Sequence, residues 1–581
     1  MDLLRRFSPW LDLRGTTLTQ VRGDLQAAIA VTFMSVPQGV AYALIAGLPP
    51  AMGLYAGALP AIFGAFFRSS RHVITGPTNA LSLLVGTAVA GQLDDPVQVA
   101  ITLAFLVGLF QLGAGLFRLG ALVDYISTAV VLGYITGAGM LIGAGQLPNI
   151  TATPKHAGTL PATIFGWLGD LPHADPATMA VGLGTAAGLL VLRRVAPKLP
   201  GAIIAMTAGI GLSAALGDRA AMLVRVGDLA AIPAGLPPLT LPDLSAIPEL
   251  WTIALATTVL SLVESSAVAR NIAGRTGQDL DMSVEFAGQG MANLAAAFFG
   301  AYPTSGSLSR SAANEQLGGS TRLSGAFSGV FLIGVLLVLG PVVDLTPVAS
   351  LAGLLLVVAW DLVDRERIAR LMRSGAADAL AFLTTVVGTW MLRLDQAIYL
   401  GVAISVVMFV RRASLLVVRD LAVDEAGMLR EVRPDDPATP RRCTAIRILH
   451  VEGPLFFGAA NELRDALTRA TADPHIRVLV VRLKRTQGLD FTTADVLESV
   501  HHQLAARGRH LLLVGMRRRT MEIMERVGTA EVIGEEHLHP SEPGWFVAMN
   551  QAIEQALELA GPHTCDPCPL QSYSDGCDDP S

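Results

Sequence analysis

Long apolar blocks separated by short polar breaks occupy most of this chain. Between about residues 24 and 410 the blocks recur, and most are long enough to cross about 30 Å of hydrocarbon as helices. We predict fourteen membrane segments, near 24–46, 49–67, 77–90, 97–117, 121–145, 176–192, 200–217, 250–269, 284–300, 307–318, 321–340, 346–360, 376–392 and 395–410. The third and tenth are too short to cross alone. From about residue 411 onward the apolar runs shrink to strand length and charged residues become frequent. The pattern predicts a polytopic helical membrane domain followed by a soluble domain.

The Lys and Arg residues around these segments predict an orientation. About twenty Lys and Arg residues, counted over every break between segments, fall on the side that holds both termini. Cytoplasmic loops are the loops that are enriched in Lys and Arg. The opposite side has four cations, Lys155, Arg219, Arg225 and Arg393. We therefore expect both termini and the soluble domain in the cytoplasm, in a bacterial inner membrane. The mixed, charged start "MDLLRRFSPWLDLRG" predicts no cleavable signal peptide.

Composition agrees with this division and adds little about partners. Of the 581 residues, 52% are hydrophobic and 15% are charged, and the mean hydropathy is +0.51. The net charge of −6 is small, and no basic face suggests a nucleic-acid partner.

Two short polar stretches share nearly the same letters. The third segment begins "GPTNALS" (76–82), and the tenth contains "PTSGSLS" (303–309). Each stretch lies in the third segment of a set of seven, and an odd number per set makes the two halves enter the membrane from opposite sides. This is the arrangement of an inverted repeat, in which short Gly/Pro-interrupted segments indicate the substrate site. We predict that each P-T segment is an extended strand at membrane depth, followed by a half-helix.

Two half-helix amino ends near the membrane centre would form an anion site, because each exposes N–H groups and a partial positive charge. Arg310 adds a permanent charge in the first turn of the second half-helix. The candidate hydrogen-bonding side chains are those of Thr78, Asn79, Ser82, Ser305, Ser307 and Ser309. Close helix packing is the alternative role for these small polar residues. A structural ion pair, or extension to the cytoplasmic face, is the alternative role for Arg310.

The first segment of each half should flank this site. Pro37 interrupts the first segment, and Gln38 and Tyr42 follow it one turn apart on one face. In the eighth segment Glu264 lies well inside an apolar run. A carboxylate there titrates, pairs with Arg310 or binds a cation. We favour a role in coupling to H⁺ or Na⁺, with a structural pair to Arg310 as the alternative.

These residues resemble the SulP (sulfate permease) family of anion transporters. The stretch from "PQGVAYALIAGLPP" to "GPTNALSLLVG" is similar to that family's signature, and so is "SRSAANEQLGGSTRLSGAFSG". The resemblance implies a 7+7 inverted repeat with a core domain of segments one to four and eight to eleven and a gate domain from the rest. It also implies elevator-like movement and a homodimer. The substrate-binding positions that it implies are Gln38, Tyr42, Thr78, Asn79, Ser307, Leu308, Ser309 and Arg310.

The resemblance also bears on the coupling ion. It places Glu264 where some bacterial members carry an acidic residue linked to cation coupling. Gln38 stands where some proton-coupled members have a carboxylate, and Val268 where sodium-coupled bicarbonate carriers have a hydroxyl residue. The choice between H⁺ and Na⁺ therefore stays open.

The soluble part alternates short β-branched strands with helices. Predicted strands are "TAIRILHVEG", "RVLVVRLKR" and "RHLLLVGM", and predicted helices are "AANELRDALTRATA", "TTADVLESVHHQLAARG" and "RRRTMEIMERVG". This α/β pattern resembles the STAS domain of sulfate transporters and anti-sigma factor antagonists. The resemblance places Thr492, which follows Asp490, where the antagonists carry a phosphorylated serine. Thr492 serves either as that regulatory site, read by a cytoplasmic regulatory protein, or as the N-cap of its helix.

The predicted organisation is a cytoplasmic segment (1–23), a transport domain (24–412), a linker (413–440), a STAS domain (441–560) and a disordered acidic tail (561–581). All four cysteines lie in the soluble part: Cys443, Cys565, Cys568 and Cys577. Two roles are open to the last three cysteines together with His563, zinc binding or a disulfide. A disordered tail with free thiols is favoured, and no metal site is predicted.

The sequence therefore predicts a secondary active anion transporter and not an enzyme, because no nucleophile–base pair argues for catalysis. Sulfate is the favoured substrate, and a C4-dicarboxylate or bicarbonate is the alternative. No cofactor is expected besides a coupling H⁺ or Na⁺. A membrane-tethered STAS signalling or scaffold protein is the alternative from a different class.

Overall fold

The computed structural model describes residues 15–91, 95–121, 126–156, 158–196, 200–216, 222–423, 428–432, 442–542, 547–562 and 568–570. The chain divides into two compact units, Met1–Val406 and Val407–Ser581.

The first unit is built from helices. They are α1 (Leu18–Ile45), α2 (Pro50–Phe67), α3 (Asn79–Gly91), α4 (Pro96–Leu116), α5 (Thr128–Thr151), α6 (Leu160–Asp170), α7 (Pro176–Val195), α8 (Gly201–Leu216), α9 (Val226–Leu229), α10 (Ile247–Thr276), α11 (Met282–Phe298), α12 (Leu308–Gln316), α13 (Leu323–Asp344), α14 (Val348–Leu362), α15 (Arg365–Ser374), α16 (Ala376–Met391) and α17 (Leu394–Ala413). Among the described residues, eight helices are long and apolar enough to cross a membrane.

Each of the fourteen predicted segments coincides with a helix, but several ends differ. Helix α1 begins at Leu18, six residues before the predicted start, because Thr17 and Gln20 form a capping box that extends it. Helix α5 starts at Thr128 instead of 121, because the Ser127 hydroxyl caps its first turn. The short helices α6, α9 and α15 were not predicted, since none forms a membrane-length apolar run.

The helices pack in two groups. Helices α1–α4 contact α10–α13, whereas α5, α7, α8, α14 and α16 contact one another. The first group contains the helices that match predicted segments one to four and eight to eleven. Small residues allow close approach within it: a Cβ built on Gly53 of α2 would overlap the carbonyl oxygen of Gly39 on α1.

Two-residue strands connect the halves of the first unit. Strand β1 (Thr75–Gly76) pairs antiparallel with β2 (Ser305–Gly306), so that Thr75 is opposite Gly306 and Gly76 is opposite Ser305. Each strand leads directly into a half-helix, β1 into α3 and β2 into α12. The predicted extended P-T segments are therefore present.

The second unit is an α/β domain around a six-stranded sheet. Its strands are β3 (Val417–Val423), β4 (Leu429–Glu431), β5 (Ile446–Pro454), β6 (Val478–Gln487), β7 (His510–Met516) and β8 (Leu538–Pro540), and its helices are α18 (Ala460–Ala470), α19 (Phe491–Ala505), α20 (Arg518–Val527), α21 (Thr529–Ile533) and α22 (Val547–Ala560). The sheet order is β4-β3-β5-β6-β7-β8. Strands β5 to β8 are parallel, and β3 is antiparallel to both β4 and β5.

Both faces of this sheet are covered. Leu479 and Val481 of β6 face the cluster that contains α18 to α21, whereas Val478 and Val480 face the cluster built on α22. Burial on both faces explains the nearly continuous apolar runs of the three strands that the sequence predicted.

Five residues of the predicted disordered tail are described, 561, 562 and 568–570. Cys568 and Leu570 are buried in the α22-side cluster, so the expectation of disorder is wrong for residues 568–570. Cys565, Cys577 and His563 lie outside the described residues.

We expect Gly53→Ala to destabilise the first unit, because its new methyl group meets the backbone of α1. Overpacking of this kind costs about 1–3 kcal/mol. The melting temperature of the detergent-solubilised protein, followed by size-exclusion chromatography after heating, should fall. Gly113→Ala on α4 is the matched control, since a Cβ there meets nothing within 4 Å. Equal melting temperatures for the two variants would contradict the close α1–α2 contact.

Candidate functional site

The extended segments at β1 and β2 have their backbone groups satisfied by side chains. The Thr304 N–H donates to Oδ1 of Asn293 at 2.7 Å, and its carbonyl accepts from Gln289 at 2.8 Å and Ser261 at 2.9 Å. The Ile74 N–H donates to the Ser311 hydroxyl at 2.9 Å. Because buried backbone groups without partners are costly, these side chains allow non-helical backbone inside an apolar domain.

The paired strands bring two helix amino ends to one region. Helix α3 starts at Asn79, three residues after β1, and α12 starts at Leu308, two residues after β2. The Ser307 N–H also donates to the Ile74 carbonyl at 2.9 Å, which joins the two segments beyond the strand pair. The positive ends of two helix dipoles therefore lie beside the strand pair, as the sequence predicted.

Arg310 is fully buried beside these ends. Its Nη2 donates to the Pro77 carbonyl at 2.7 Å, while Nε and Nη1 have no hydrogen-bond partner. A Cβ on Gly76 would lie 2.5 Å from Nη1, so only glycine leaves room for the guanidinium there. Among the described residues no ion pair joins Arg310 to Glu264. Neither alternative role predicted for Arg310, a structural pair with Glu264 or extension to the cytoplasmic face, fits this position.

Glu264 lies on α10 and contacts the residue that precedes the first half-helix, α3. The Thr78 hydroxyl donates to its Oε2 at 2.9 Å. Thr78 immediately precedes α3, so this carboxylate is next to a helix amino end, where negative charge is stabilised. The pair that forms is thus Glu264 with Thr78.

Gln38 and Tyr42 lie on α1, and Gln38 reaches a cavity of about 240 Å³. Residues of α1, α7, α8 and α14 line this cavity, with Gln38 and Arg193 among them. The Gln38 Oε1 atom is buried without a hydrogen-bond partner, whereas Tyr42 is buried four residues further on. Because α1 belongs to one helix group and α7, α8 and α14 to the other, the cavity lies where the two groups meet.

The remaining predicted site residues differ in their exposure and in their hydrogen-bond partners. Leu308 is 58% exposed, and Ser309 beside it is also exposed. Asn79 uses its Oδ1 to accept from the N–H of Ala80 at 2.8 Å. Ser307 is buried at the N-cap of α12, where its side chain makes no capping hydrogen bond. Ser82 shares a hydrogen bond of 3.1 Å with the Tyr302 hydroxyl.

A buried ion pair lies beside β1 and was not predicted, because Arg68 follows the second predicted segment, where a cation is expected in a cytoplasmic loop. Arg68 and Glu285 are both fully buried, and Nη2 of Arg68 lies 2.5 Å from Oε1 of Glu285. Its Nη1 donates to the Thr75 hydroxyl at 2.7 Å and to Gln289 at 2.9 Å, and its Nη2 also bonds the Ser265 hydroxyl. Glu285 within an apolar run was the available signal.

In the second unit, Asp490 and not Thr492 is the N-cap of α19. Its Oδ1 accepts from the Thr493 N–H at 2.9 Å, and its Oδ2 accepts from the Phe457 N–H at 2.6 Å. The predicted capping role of Thr492 is therefore wrong. Thr492 is exposed in the first turn of α19.

A second group of polar side chains lies across β4 and β5. One ligand atom from each of Glu431, His450 and Glu452 lies within 4.8 Å of the others. Each carboxylate already contacts an arginine, Glu431 with Arg419 and Glu452 with Arg485. The hydrogen bond from Arg485 lowers the pKa of Glu452, and burial lowers the pKa of His450. A metal ion would have to displace both arginines, so the group forms a network of ion pairs and hydrogen bonds around the buried His450.

Fold and site together define a multi-pass membrane transporter with a C-terminal α/β domain. The model of the sulfate permease family matches residues 21–385, and that of the STAS domain matches residues 438–543. The chain belongs to the sulfate permease family.

Two bacterial relatives are similar over most of their length. A putative sulfate transporter, YvdB, of Bacillus subtilis is 28% identical over 90% of this chain and 97% of its own. A probable sulfate transporter, Rv1739c, of Mycobacterium tuberculosis is 29% identical over 90% of this chain and 94% of its own.

Two solved structures share the fold. SLC26A9 superposes with a TM-score of 0.87 at 21% identity, over 96% of this chain and 93% of its own. The transmembrane domain of the cyanobacterial bicarbonate transporter BicA superposes with a TM-score of 0.59 at 23% identity, over 68% of this chain and 98% of its own.

We expect Glu285→Ala to destabilise the first unit, because it leaves the buried Arg68 charge without its carboxylate. Breaking a buried pair in this way costs about 3–5 kcal/mol. The amount of monodisperse protein and its melting temperature in detergent should both fall. Glu249→Ala, which removes an exposed glutamate from the first turn of α10, should change neither. If the Glu285 variant is as stable as the control, Arg68 is held by its hydrogen bonds alone.

Proposed function

We propose that this protein is a secondary active transporter of small anions, with sulfate as the favoured substrate, working by an elevator-type alternating-access mechanism. The observation that carries the proposal is Arg310, fully buried beside two helix amino ends with its Nε and Nη1 atoms unpartnered. A permanent cation with unused N–H groups, next to two positive dipole ends, suits a negatively charged ligand. The names of the bacterial relatives agree with sulfate.

Recognition in this proposal combines several weak contacts with one full charge. The amino ends of α3 and α12 and the Arg310 guanidinium supply positive potential, and Gln38, Thr78, Asn79, Ser307 and Ser309 supply polar groups. The unused hydrogen-bonding end of the Gln38 amide then orients the anion from α1. Tyr42 and the exposed Leu308 form the apolar edge of the site. Such a site selects small oxyanions by charge and size.

The packing of the helices supports the proposed alternating access. The group α1–α4 with α10–α13 carries every proposed binding residue, and the other group supplies the opposing wall of the cavity. Movement of the first group against the second would carry the site across the membrane while its internal hydrogen bonds stay intact. Between the groups, the cavity from Arg193 to Gln38 is the proposed route from the cytoplasm.

Glu264 and Thr78 are the proposed coupling pair. The carboxylate lies next to the amino end of α3 and accepts from the hydroxyl that precedes it. Binding of H⁺ or Na⁺ there would cancel a negative charge that otherwise repels the anion. Anion and cation binding would in this way reinforce each other.

The remaining proposals concern assembly and location. We place the protein in a bacterial inner membrane, with both termini and the STAS domain on the cytoplasmic side, because of the distribution of Lys and Arg. The protein would act as a homodimer in the lipid bilayer. Thr492, exposed in the first turn of α19, is the proposed point of contact with a cytoplasmic regulatory protein.

The proposal is tested by uptake of radiolabelled sulfate, fumarate and bicarbonate into proteoliposomes under imposed proton or sodium gradients. Saturable sulfate uptake that requires one gradient is expected for the wild type. Arg310→Ala should abolish it, because the site loses its only permanent charge among the proposed ligands, and Arg194→Ala should retain it. Normal uptake by the Arg310 variant would remove that residue from the site. No uptake of any anion by the wild type would favour a STAS scaffold instead.

Arg193 should attract anions into the cavity, although it also contacts Asp361 at 2.6 Å. We expect Arg193→Gln to raise the KM for anion on that side several-fold with kcat little changed, since surface charge alters encounter rates. The effect should shrink as ionic strength increases. Arg194→Gln is the control, because Arg194 is adjacent and exposed but does not line the cavity. Equal KM values for the two variants would exclude this role.

A further inference from the structure

Helix α15 (Arg365–Ser374) joins two apolar helices of the first unit and has no buried residue. Helix α14 ends at Leu362, and α16 begins at Ala376, so each end of α15 is close to a helix that matches a predicted membrane segment. Helices shorter than about 12–15 residues are marginal in water. A short helix that the protein leaves uncovered therefore lies at the end of two membrane segments.

One side of α15 is apolar. Ile368, Leu371 and Met372 have the i, i+3, i+4 spacing that places side chains on one face of a helix. Met372 is 44% exposed, and the other two side chains are half-buried. An amphipathic helix that lies along a membrane buries such a stripe at the boundary between headgroups and acyl chains.

The opposite side of α15 is basic. Arg367, Arg370 and Arg373 follow one another at intervals of three residues, and all three are exposed. None of these side chains has an ion pair or a hydrogen bond with the residues that the structure describes. Guanidinium groups bind phosphate groups with two parallel N–H donors. The basic side therefore has unused capacity for phosphate.

The carboxylates near α15 do not neutralise this side. Asp361 contacts Arg193 at 2.6 Å, and Asp364 caps the helix by accepting from the Arg367 N–H at 2.9 Å. Glu366 is the one acidic residue of the helix, against four arginines. The helix thus carries a net positive charge that calls for an anionic surface.

A stacked pair holds the amino end of α15 against α14. The guanidinium carbon of Arg365 lies over the Trp360 ring, 3.9 Å from its centroid. Trp360 is 63% exposed near the end of α14. Exposed tryptophans at the ends of membrane helices are typical of the membrane–water interface. The cation–π contact therefore places α15 at the level of the headgroups.

We propose that α15 is an interfacial helix whose three unpaired arginines bind the phosphate groups of anionic phospholipids. Its apolar stripe enters the boundary of the acyl chains, and the long arginine side chains keep their charges among the headgroups. An anionic lipid is favoured over a zwitterionic one, because only the anionic surface attracts cations. This inference needs the protein to lie in a membrane and does not depend on the transported anion.

The test measures lipid binding by the full chain in detergent. Native mass spectrometry counts the phosphatidylglycerol and phosphatidylcholine molecules, with the same acyl chains, that each variant retains. The wild type should prefer phosphatidylglycerol. Each arginine near an anionic surface favours binding about five-fold, so the triple variant Arg367→Gln, Arg370→Gln, Arg373→Gln should lose at least about tenfold of this preference. Added phosphatidylglycerol should also raise the melting temperature of the wild type more than that of the triple variant.

The triple variant Arg517→Gln, Arg518→Gln, Arg519→Gln is the matched control. It removes the same charge from three exposed residues at the start of α20 in the second unit, so it should keep the wild-type preference. Arg370→Gln alone should lower the preference by up to about five-fold. This single variant replaces the triple one if size-exclusion chromatography shows that the triple variant is not monodisperse.

The proposal is wrong if the wild type retains both lipids equally, or if the monodisperse α15 variant keeps the preference of the control. Displacement of phosphatidylglycerol by an equal concentration of glycerol phosphate would also contradict it, since the arginines would then bind free phosphate instead of a lipid surface. Higher ionic strength should weaken the preference. A preference that does not change with salt would mean that the apolar stripe alone selects the lipid.

Discussion

The architecture of the membrane unit depends on how it satisfies backbone that is not helical. Residues 74–76 and 304–306 cannot use an intrahelical hydrogen bond, and in an apolar domain no water replaces one. Asn293, Gln289, Ser261 and Ser311 supply the partners from three different helices. These contacts hold the two broken segments together, and only then can two helix amino ends share one region.

Two buried arginines next to this region have different surroundings. Arg68 has a carboxylate, an amide and two hydroxyl groups around it, so its charge is fully compensated. Arg310 has one carbonyl partner and keeps two nitrogen atoms without any. The compensated arginine is structural, whereas the under-satisfied one retains positive potential and hydrogen-bonding capacity for a ligand. This difference is the physical basis for proposing Arg310 as part of an anion site.

The soluble unit is stabilised by helices that pack on its sheet. Its parallel strands are covered on both faces by helices, which is why their sequences read as unbroken apolar runs. One face also receives Cys568 and Leu570 from beyond the last helix. The segment that follows the last helix is thus returned to the start of the domain, where Cys443 precedes the central strand β5.

The sequence by itself determined the long apolar helices, the two broken segments and the α/β pattern of the second unit, because apolar periodicity, Pro and Gly act locally on the backbone. It also indicated Arg310 and Glu264, since charges inside apolar runs are rare. The tertiary structure alone decided which groups meet: Glu264 with Thr78 instead of Arg310, Arg68 with Glu285, and Cys443 with Cys568. Those partners are far apart in the chain, and burial, which sets the worth of each contact, exists only after the helices and strands have packed.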